Sequence, residues 1–178
     1  GRCVQIIPHI TDEVKRRIRL VSEKSRADVI LVECGGTVGD IESLPFLEAF
    51  RQMRQEEKRG DTILVHVTLV PVLDAVGEPK TKPTQHSVKE LRAIGLQPDI
   101  IVTRCDAGEL PASAKQKIAL YCSVEERAVF TSVNVESLYE LPLVLEGQGM
   151  GDVVSEYLGL DKPKAEFSDW RRMRSEER

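Results

Sequence analysis

Apolar residues along this chain follow two spacings. Five short runs are β-rich: Val4–Pro8, Asp28–Cys34, Thr62–Val70, Asp99–Cys105 and Ala128–Val133. The second and fourth, DVILVEC and DIIVTRC, are nearly continuous rather than alternating. That pattern suits strands buried on both faces of a parallel sheet covered by helices. Between the runs, apolar residues recur three and four apart. Thr11 opens TDEV, an N-cap with acids in the first turn, followed by Val14, Ile18 and Val21. Leu44–Glu57 sets Phe46, Leu47, Phe50 and Met53 on one face. Thr84 to Ile94 repeats the spacing through Val88 and Leu91, and Gly95 closes it as a C′ glycine. Ala112–Cys122 sets Ile118 one turn from Tyr121 and Cys122. Strand alternating with helix at these lengths predicts βαβ units, hence an α/β fold with a doubly wound, mainly parallel sheet.

Composition narrows the class. With 178 residues, 41% of them hydrophobic, the chain is large enough for one real core. Val, Ile and Leu cluster throughout, which excludes a disordered chain. No apolar run reaches the roughly 18 to 20 residues that span a bilayer, and the opening GRCVQIIPHI is no signal peptide. A formal charge of −4 argues against a general nucleic-acid footprint while leaving room for local basic pockets. Cys3, Cys34, Cys105 and Cys122 lack CxxC or metal spacing, so each reads as a buried reduced thiol in a cytoplasmic protein. The abrupt start at Gly1 suggests a piece of a larger protein. Lys162 to Arg178 is charged, with one Phe and one Trp, and reads as a linker or terminal helix after a domain spanning 1–161.

Ligands in open α/β sheets bind outside the carboxyl ends of the strands, so the chemistry is sought there. After DVILV comes Glu33, then Cys34-Gly35-Gly36-Thr37-Val38-Gly39-Asp40-Ile41-Glu42-Ser43. A carboxylate at a buried strand's end requires a cation or donors, and the glycines free the backbone to approach a ligand. A turn with a capping Asp and a surface Glu explains the same residues. The third run leads into Gly77-Glu78-Pro79-Lys80-Thr81-Lys82-Pro83-Thr84-Gln85-His86-Ser87. In an extended loop Lys80 and Lys82 point the same way and could reach one anion, with Thr84 capping the next helix. A solvated basic turn is the alternative. His86 suits a helix-start or packing role better than catalysis. Lys117 and Tyr121 lie four apart on one helix face, able to bind a phosphate and stack a base, or simply a surface Lys beside a core Tyr.

Taken together, VECGGTVGDIESLPFLEAFRQ, GEPKTKPTQHSVKELRAIGLQPDIIVTR and KIALYCSV closely resemble the cytidine triphosphate synthase family. The resembling part is the second half of its synthetase (amidoligase) domain. IIPHITDEV and VESLYELPLVLEGQG match too, so the resemblance runs from about Val4 to Trp170. It implies a Rossmann-like, three-layer fold of the P-loop NTPase and dethiobiotin-synthetase type, truncated at its N-terminus. It implies ATP-dependent amination of UTP to CTP through a 4-phosphorylated UTP, using Mg2+, with ammonia from a glutaminase domain later in the chain. A homotetramer with the UTP site between subunits is implied as well; the apolar segments Leu44–Met53 and Val135–Leu145 are candidates for buried or intersubunit surface.

Residue by residue, the resemblance implies a magnesium ligand at Glu33 and contacts to CTP, the feedback inhibitor, at Asp40, Ile41 and Glu42. UTP and CTP binding falls on Lys80, Thr81, Lys82, Pro83, Thr84, Gln85 and Lys117, and Tyr121 falls near the base. Val135 falls beside the ATP adenine, where Asn134 departs from the acidic residue familiar in the family. No GxxxxGK[ST] phosphate loop and no nucleophilic-Cys elbow occur in the sequence. The chain alone is therefore expected to be inactive. Two further readings are another amidoligase of the same fold, which leaves KTKPTQHSVKEL unexplained, and a non-catalytic nucleotide-binding or assembly module.

Overall fold

The computed structural model describes residues 3–72, 77–106, 108–161 and 166–176. Gly1 therefore lies outside the described residues, as do 162–165 and 177–178 of the expected terminal segment. The chain divides into two compact units: Gly1–Arg59 with Glu90–Leu96, and Gly60–Lys89 with Gln97–Arg178.

The first unit is built on helices α1 (Thr11–Ser25) and α2 (Leu44–Glu56). The helices form where their spacing predicts, but charge rather than an apolar seam joins them. The buried positions of α1 are Thr11 and Lys15, while Val14 and Ile18 are half-buried and Val21 is exposed. Lys15 sends its ammonium to Glu56 at 2.5 Å and Asp12 at 3.1 Å. Arg19 reaches both Glu56 and Glu57 of the same partner segment. Thr11 is not the N-cap expected of it: it lies inside the helical turn, and its hydroxyl donates to the Pro8 carbonyl. Within α2, Arg51 grips Glu48 through two N–H groups and holds that carboxyl down at about 2.

Two expected strands are absent from this unit. Val4–Pro8 is irregular and runs into one helical turn, Ile6–Ile10, with no buried residue. Asp28–Cys34 pairs with no strand among the described residues, and Leu31 is 95% exposed. A continuous apolar run is a strand only when a neighbouring backbone completes its ladder. Cys3 and Cys34, which belong to these segments, are correspondingly exposed and half-buried rather than core thiols; Cys105 and Cys122 are buried and free as expected.

The second unit carries a parallel sheet in the order β1 (Val65–Leu69), β2 (Ile100–Cys105), β3 (Val129–Val133). Its two faces are covered differently. Helices α3 (Lys82–Ala93) and α4 (Ala112–Cys122) pack Val88, Ile118, Ala119 and Cys122 over Ile101, Cys105 and Val129. Helix α6 (Met150–Tyr157), with α5 (Leu141–Gly147) before it, packs Val153 and Leu145 over Ile100, Val102 and Phe130. The result is the helix–sheet–helix arrangement of a Rossmann-like α/β domain, as the alternating pattern predicts. The last described helix, α7 (Ser168–Glu176), docks Trp170 edge-on against Tyr139, with ring centroids 5.8 Å apart.

Helix α3 ends as its glycine predicts. The Gly95 N–H donates to the Arg92 carbonyl and the Leu96 N–H reaches back to Leu91, while Gly95 takes φ +91°, the left-handed conformation that closes such a motif. At the other side of the sheet, the Gln148 side chain closes the edge of β3. Its oxygen accepts from the Thr131 N–H and its amide donates to the Thr131 carbonyl, both at 2.8 Å, standing in for the next strand. Gln148→Ala leaves both backbone groups of Thr131 without these partners. We expect a loss of about 1–3 kcal/mol in urea unfolding of the chain.

Candidate functional site

In the first unit, the segment after Val32 is a turn that satisfies itself. The Thr37 N–H donates to Asp40 Oδ2 at 2.8 Å, and the Asp40 N–H returns to the Thr37 carbonyl at 3.0 Å. Ser43 then donates both its N–H and its hydroxyl to the Asp40 carbonyl, and its own carbonyl accepts the first bonds of α2 from Phe46 and Leu47. Gly36 is required by this geometry. It sits at φ +89°, and a Cβ there would lie 3.0 Å from Asp40 Oδ2. Asp40 thus spends one carboxylate oxygen on the turn, while Ile41, 82% exposed, and Glu42 project outward. Glu33 is exposed on an unpaired segment rather than buried at a strand's end. Beside it, burial and then the Glu33 charge push the Cys34 thiol up, which favours its protonated form.

As a magnesium ligand, Glu33 offers one hard carboxylate. Among the described residues no three His, Cys, Asp or Glu side chains converge. That donor set fits an ion held mainly by phosphate oxygens and water, and does not make an all-protein cage.

In the second unit the three strands are parallel, so their carboxyl ends and the segments leaving them share one rim. From β1 the chain passes Val70, buried and bonded to the Arg104 carbonyl, and returns through a Val72–Pro79 bridge. The Lys80 N–H closes this excursion on the Pro71 carbonyl at 2.9 Å. Lys80 is ion-paired to Glu78 at 2.6 Å. Helix α3 begins at Lys82, two residues before the Thr84 expected to cap it, so the residue in front of the helix is Thr81. Thr81 is buried, its carbonyl accepts from the Gln85 N–H and its hydroxyl from the Gln85 side chain. Thr84 points into the protein instead, fully buried, toward the Thr68 hydroxyl and the Leu69 carbonyl. Lys82, Pro83 and His86 are exposed; His86 therefore has no packing role.

The other rim residues follow from β2 and β3. Lys117 and Tyr121 both face outward from α4, and Tyr121 is 57% exposed, which removes the core-tyrosine reading. Lys117 and Lys80 act on the same carboxyl: Glu78 is held below its ordinary value first by the Lys80 hydrogen bond and also by the Lys117 charge. Val135, half-buried, and exposed Asn134 follow directly on β3, while of the turn after β2 Ala107 lies outside the described residues.

One functional candidate was not visible as such in the sequence. His66 of β1 is buried, and its Nε2 lies 2.9 Å from the Ser87 hydroxyl of α3. Burial pushes its pKa down, favouring the neutral imidazole. The available signal was its place, alternating with Val65, Val67 and Leu69, in a run read only as apolar.

Comparison with known proteins adds the following. The family model described as CTP synthase N-terminus matches residues 1–160. A CTP synthase of Methanopyrus kandleri is 55% identical over 170 residues, covering 96% of this chain and 32% of that protein. A CTP synthase of Thermomicrobium roseum is 54% identical over 173 residues, covering 97% and 31%. That of Desulfitobacterium hafniense is 51% identical over 173 residues, covering 97% and 32%. The chain thus spans about a third of the length of the curated relatives it matches.

Gly36→Ala places a methyl against Asp40 and forces a left-handed conformation on an L-residue, at a cost of about 1–2 kcal/mol. The expected readout is loss of hydrogen-exchange protection at the Thr37 amide, with the sheet amides unaffected.

Proposed function

The chain belongs to the CTP synthase family, matching its N-terminal region, and on that premise we propose that it forms the UTP- and CTP-binding part of a C–N ligase that aminates UTP. In this reaction ATP transfers its γ-phosphoryl group to the 4-oxygen of uracil, leaving ADP. Ammonia, released from glutamine by the whole enzyme's glutaminase domain, then attacks C4; phosphate departs with that oxygen and CTP results.

The observation that supports this reading is Glu78, a carboxylate of the chain ion-paired with Lys80 at 2.6 Å and within the field of Lys117. A triphosphate carries about four negative charges, and such a group needs several ammonium groups and N–H donors around it. In our reading Lys80, Lys82 and Lys117 neutralise the triphosphate of UTP, or of the competing product CTP. Thr81, Pro83, Thr84 and Gln85 contribute the backbone of the loop and the first turn of α3, whose N–H groups favour an anion. Thr84 does so through its main chain, since its hydroxyl is turned inward. Tyr121 offers an exposed ring toward a base, Val135 an apolar wall for adenine, and Asp40, Ile41 and Glu42 the contacts to CTP as inhibitor. Ile41 and Glu42 project freely, and Asp40 has one carboxylate oxygen outside its turn bond. Glu33 would be the protein's ligand to Mg2+. The chemistry that ion supplies is charge neutralisation on the phosphates.

The whole protein is read as a cytoplasmic homotetramer, with surface from Leu44–Met53 and Val135–Leu145 available for subunit contacts. Among the described residues no helix is long and apolar enough to cross a membrane.

Three results would test the reading. In calorimetry, Lys80→Ala combined with Lys82→Ala should abolish UTP and CTP binding while circular dichroism stays unchanged; retained affinity refutes the site. Glu78→Gln removes the competing carboxylate and should tighten triphosphate binding by up to about fivefold, the scale of an exposed ion pair. Because the sequence carries no glycine-lysine phosphate loop, the purified 178-residue chain should form no CTP from UTP, ATP and ammonium. CTP in that mixture would overturn the expectation, and triphosphate binding without turnover even in the full-length enzyme would favour a nucleotide-sensing module.

A further inference from the structure

Strand β1 inverts the usual order of a half-buried strand. Its apolar residues Val65, Val67 and Leu69 are 37%, 58% and 50% exposed, whereas His66 is 8% exposed on the face toward α3 and α4. On that same face Thr68, Thr103 and Thr131 stand side by side across all three strands, in one row of the register. Thr103 and Thr131 are fully buried.

Every member of this polar layer is hydrogen-bonded. His66 pairs with Ser87 at 2.9 Å and Thr68 with Thr84 at 3.3 Å. The Thr103 hydroxyl donates to the Phe130 carbonyl at 2.9 Å, and the Thr131 hydroxyl accepts from the Leu110 N–H of the rim segment after β2. Among the described residues no buried side-chain nitrogen or oxygen lacks a partner.

Such a layer is hard to explain by stability. Buried polar pairs add little net free energy over apolar residues of the same shape, whereas a single unmatched member is costly. What they add is direction. Apolar side chains tolerate repacking and small displacements, but a hydroxyl–imidazole contact is satisfied in one register only. The two pairs that leave the sheet, His66–Ser87 and Thr68–Thr84, both land on the first two turns of α3, immediately after Lys80, Thr81 and Lys82.

We infer that His66 is a positioning residue: with Thr68 it locks the register of α3 on β1, and through Thr84 and Ser87 it holds the first turn of α3 and the Lys80–Lys82 loop in the geometry that receives an anion. The anion-binding part of this inference rests on the triphosphate reading above; the register lock does not.

The two are separated by measuring amide hydrogen exchange on the 178-residue chain without nucleotide, then UTP affinity by calorimetry. The variants are His66→Leu, Ser87→Ala, their combination, and His66→Gln, whose amide can replace Nε2. The lock predicts that amides of residues 84–87 exchange about tenfold faster in His66→Leu and in Ser87→Ala, the effect of one lost hydrogen bond. The double variant should be no worse than either single, His66→Gln should restore protection, and the Ile101 and Val102 amides should not change. UTP affinity should fall by about the same factor wherever protection falls. Unchanged exchange at 84–87, equal acceleration of the β2 amides, or failure of His66→Gln to restore protection overturns the lock. Should His66→Leu not fold, Ser87→Ala and His66→Gln carry the same comparison. A parent chain that binds no UTP refutes the triphosphate reading, while the exchange data still decide the lock.

Discussion

Strand β2 has neither a free edge nor an open face. It pairs in parallel with β1 on one side and β3 on the other, and every residue but Arg104 is buried. A strand in that position needs apolar side chains in both directions and helices on both sides. From this one constraint the second unit follows: α3 and α4 over Ile101, α5 and α6 over Val102. Because the three strands run the same way, the segments leaving them emerge at one rim. The lysine-bearing loop after β1 and the Val135 segment after β3 are therefore on one edge by topology, before any side-chain contact is considered.

Charge is arranged on two scales. Among the described residues several cations are matched by neighbours: Arg16 and Arg17 with Glu13, Arg19 with Glu56 and Glu57, Arg127 with Glu125 and Glu156. Such exposed pairs contribute little stability. At the rim, among the described residues, Glu78 answers Lys80 and feels Lys117, while Lys82 makes no ion pair.

Several elements were legible because their causes are local. The spacing of Leu47, Val88, Leu91, Ile118 and Cys122 marks helices, Gly95 marks a stop, and DIIVTRC marks a doubly buried strand. Other readings failed where the cause is a distant partner. DVILVEC is as apolar a run as DIIVTRC, yet among the described residues no neighbouring backbone pairs with it, and most of it is exposed. Lys15, of which sequence spacing says nothing, is buried because Glu56, 41 positions away, accepts its ammonium. Tyr121 and Ile118 lie on one helix, but only Ile118 has the sheet opposite it.

The α/β class, four of the helices, three of the strands and the family are legible in the residues alone, the family through KTKPTQHSVKEL and GGTVGDIES. Periodicity, caps and ungapped motifs are written in neighbouring residues, so they survive without a structure. The tertiary structure decided which side of β1 turns inward and which cations meet one carboxylate. It also decided that His66 and Thr68, rather than Val65 and Val67, face α3. An alternating strand is equally compatible with either face inward; the choice is made by hydroxyls on a helix some twenty residues further on.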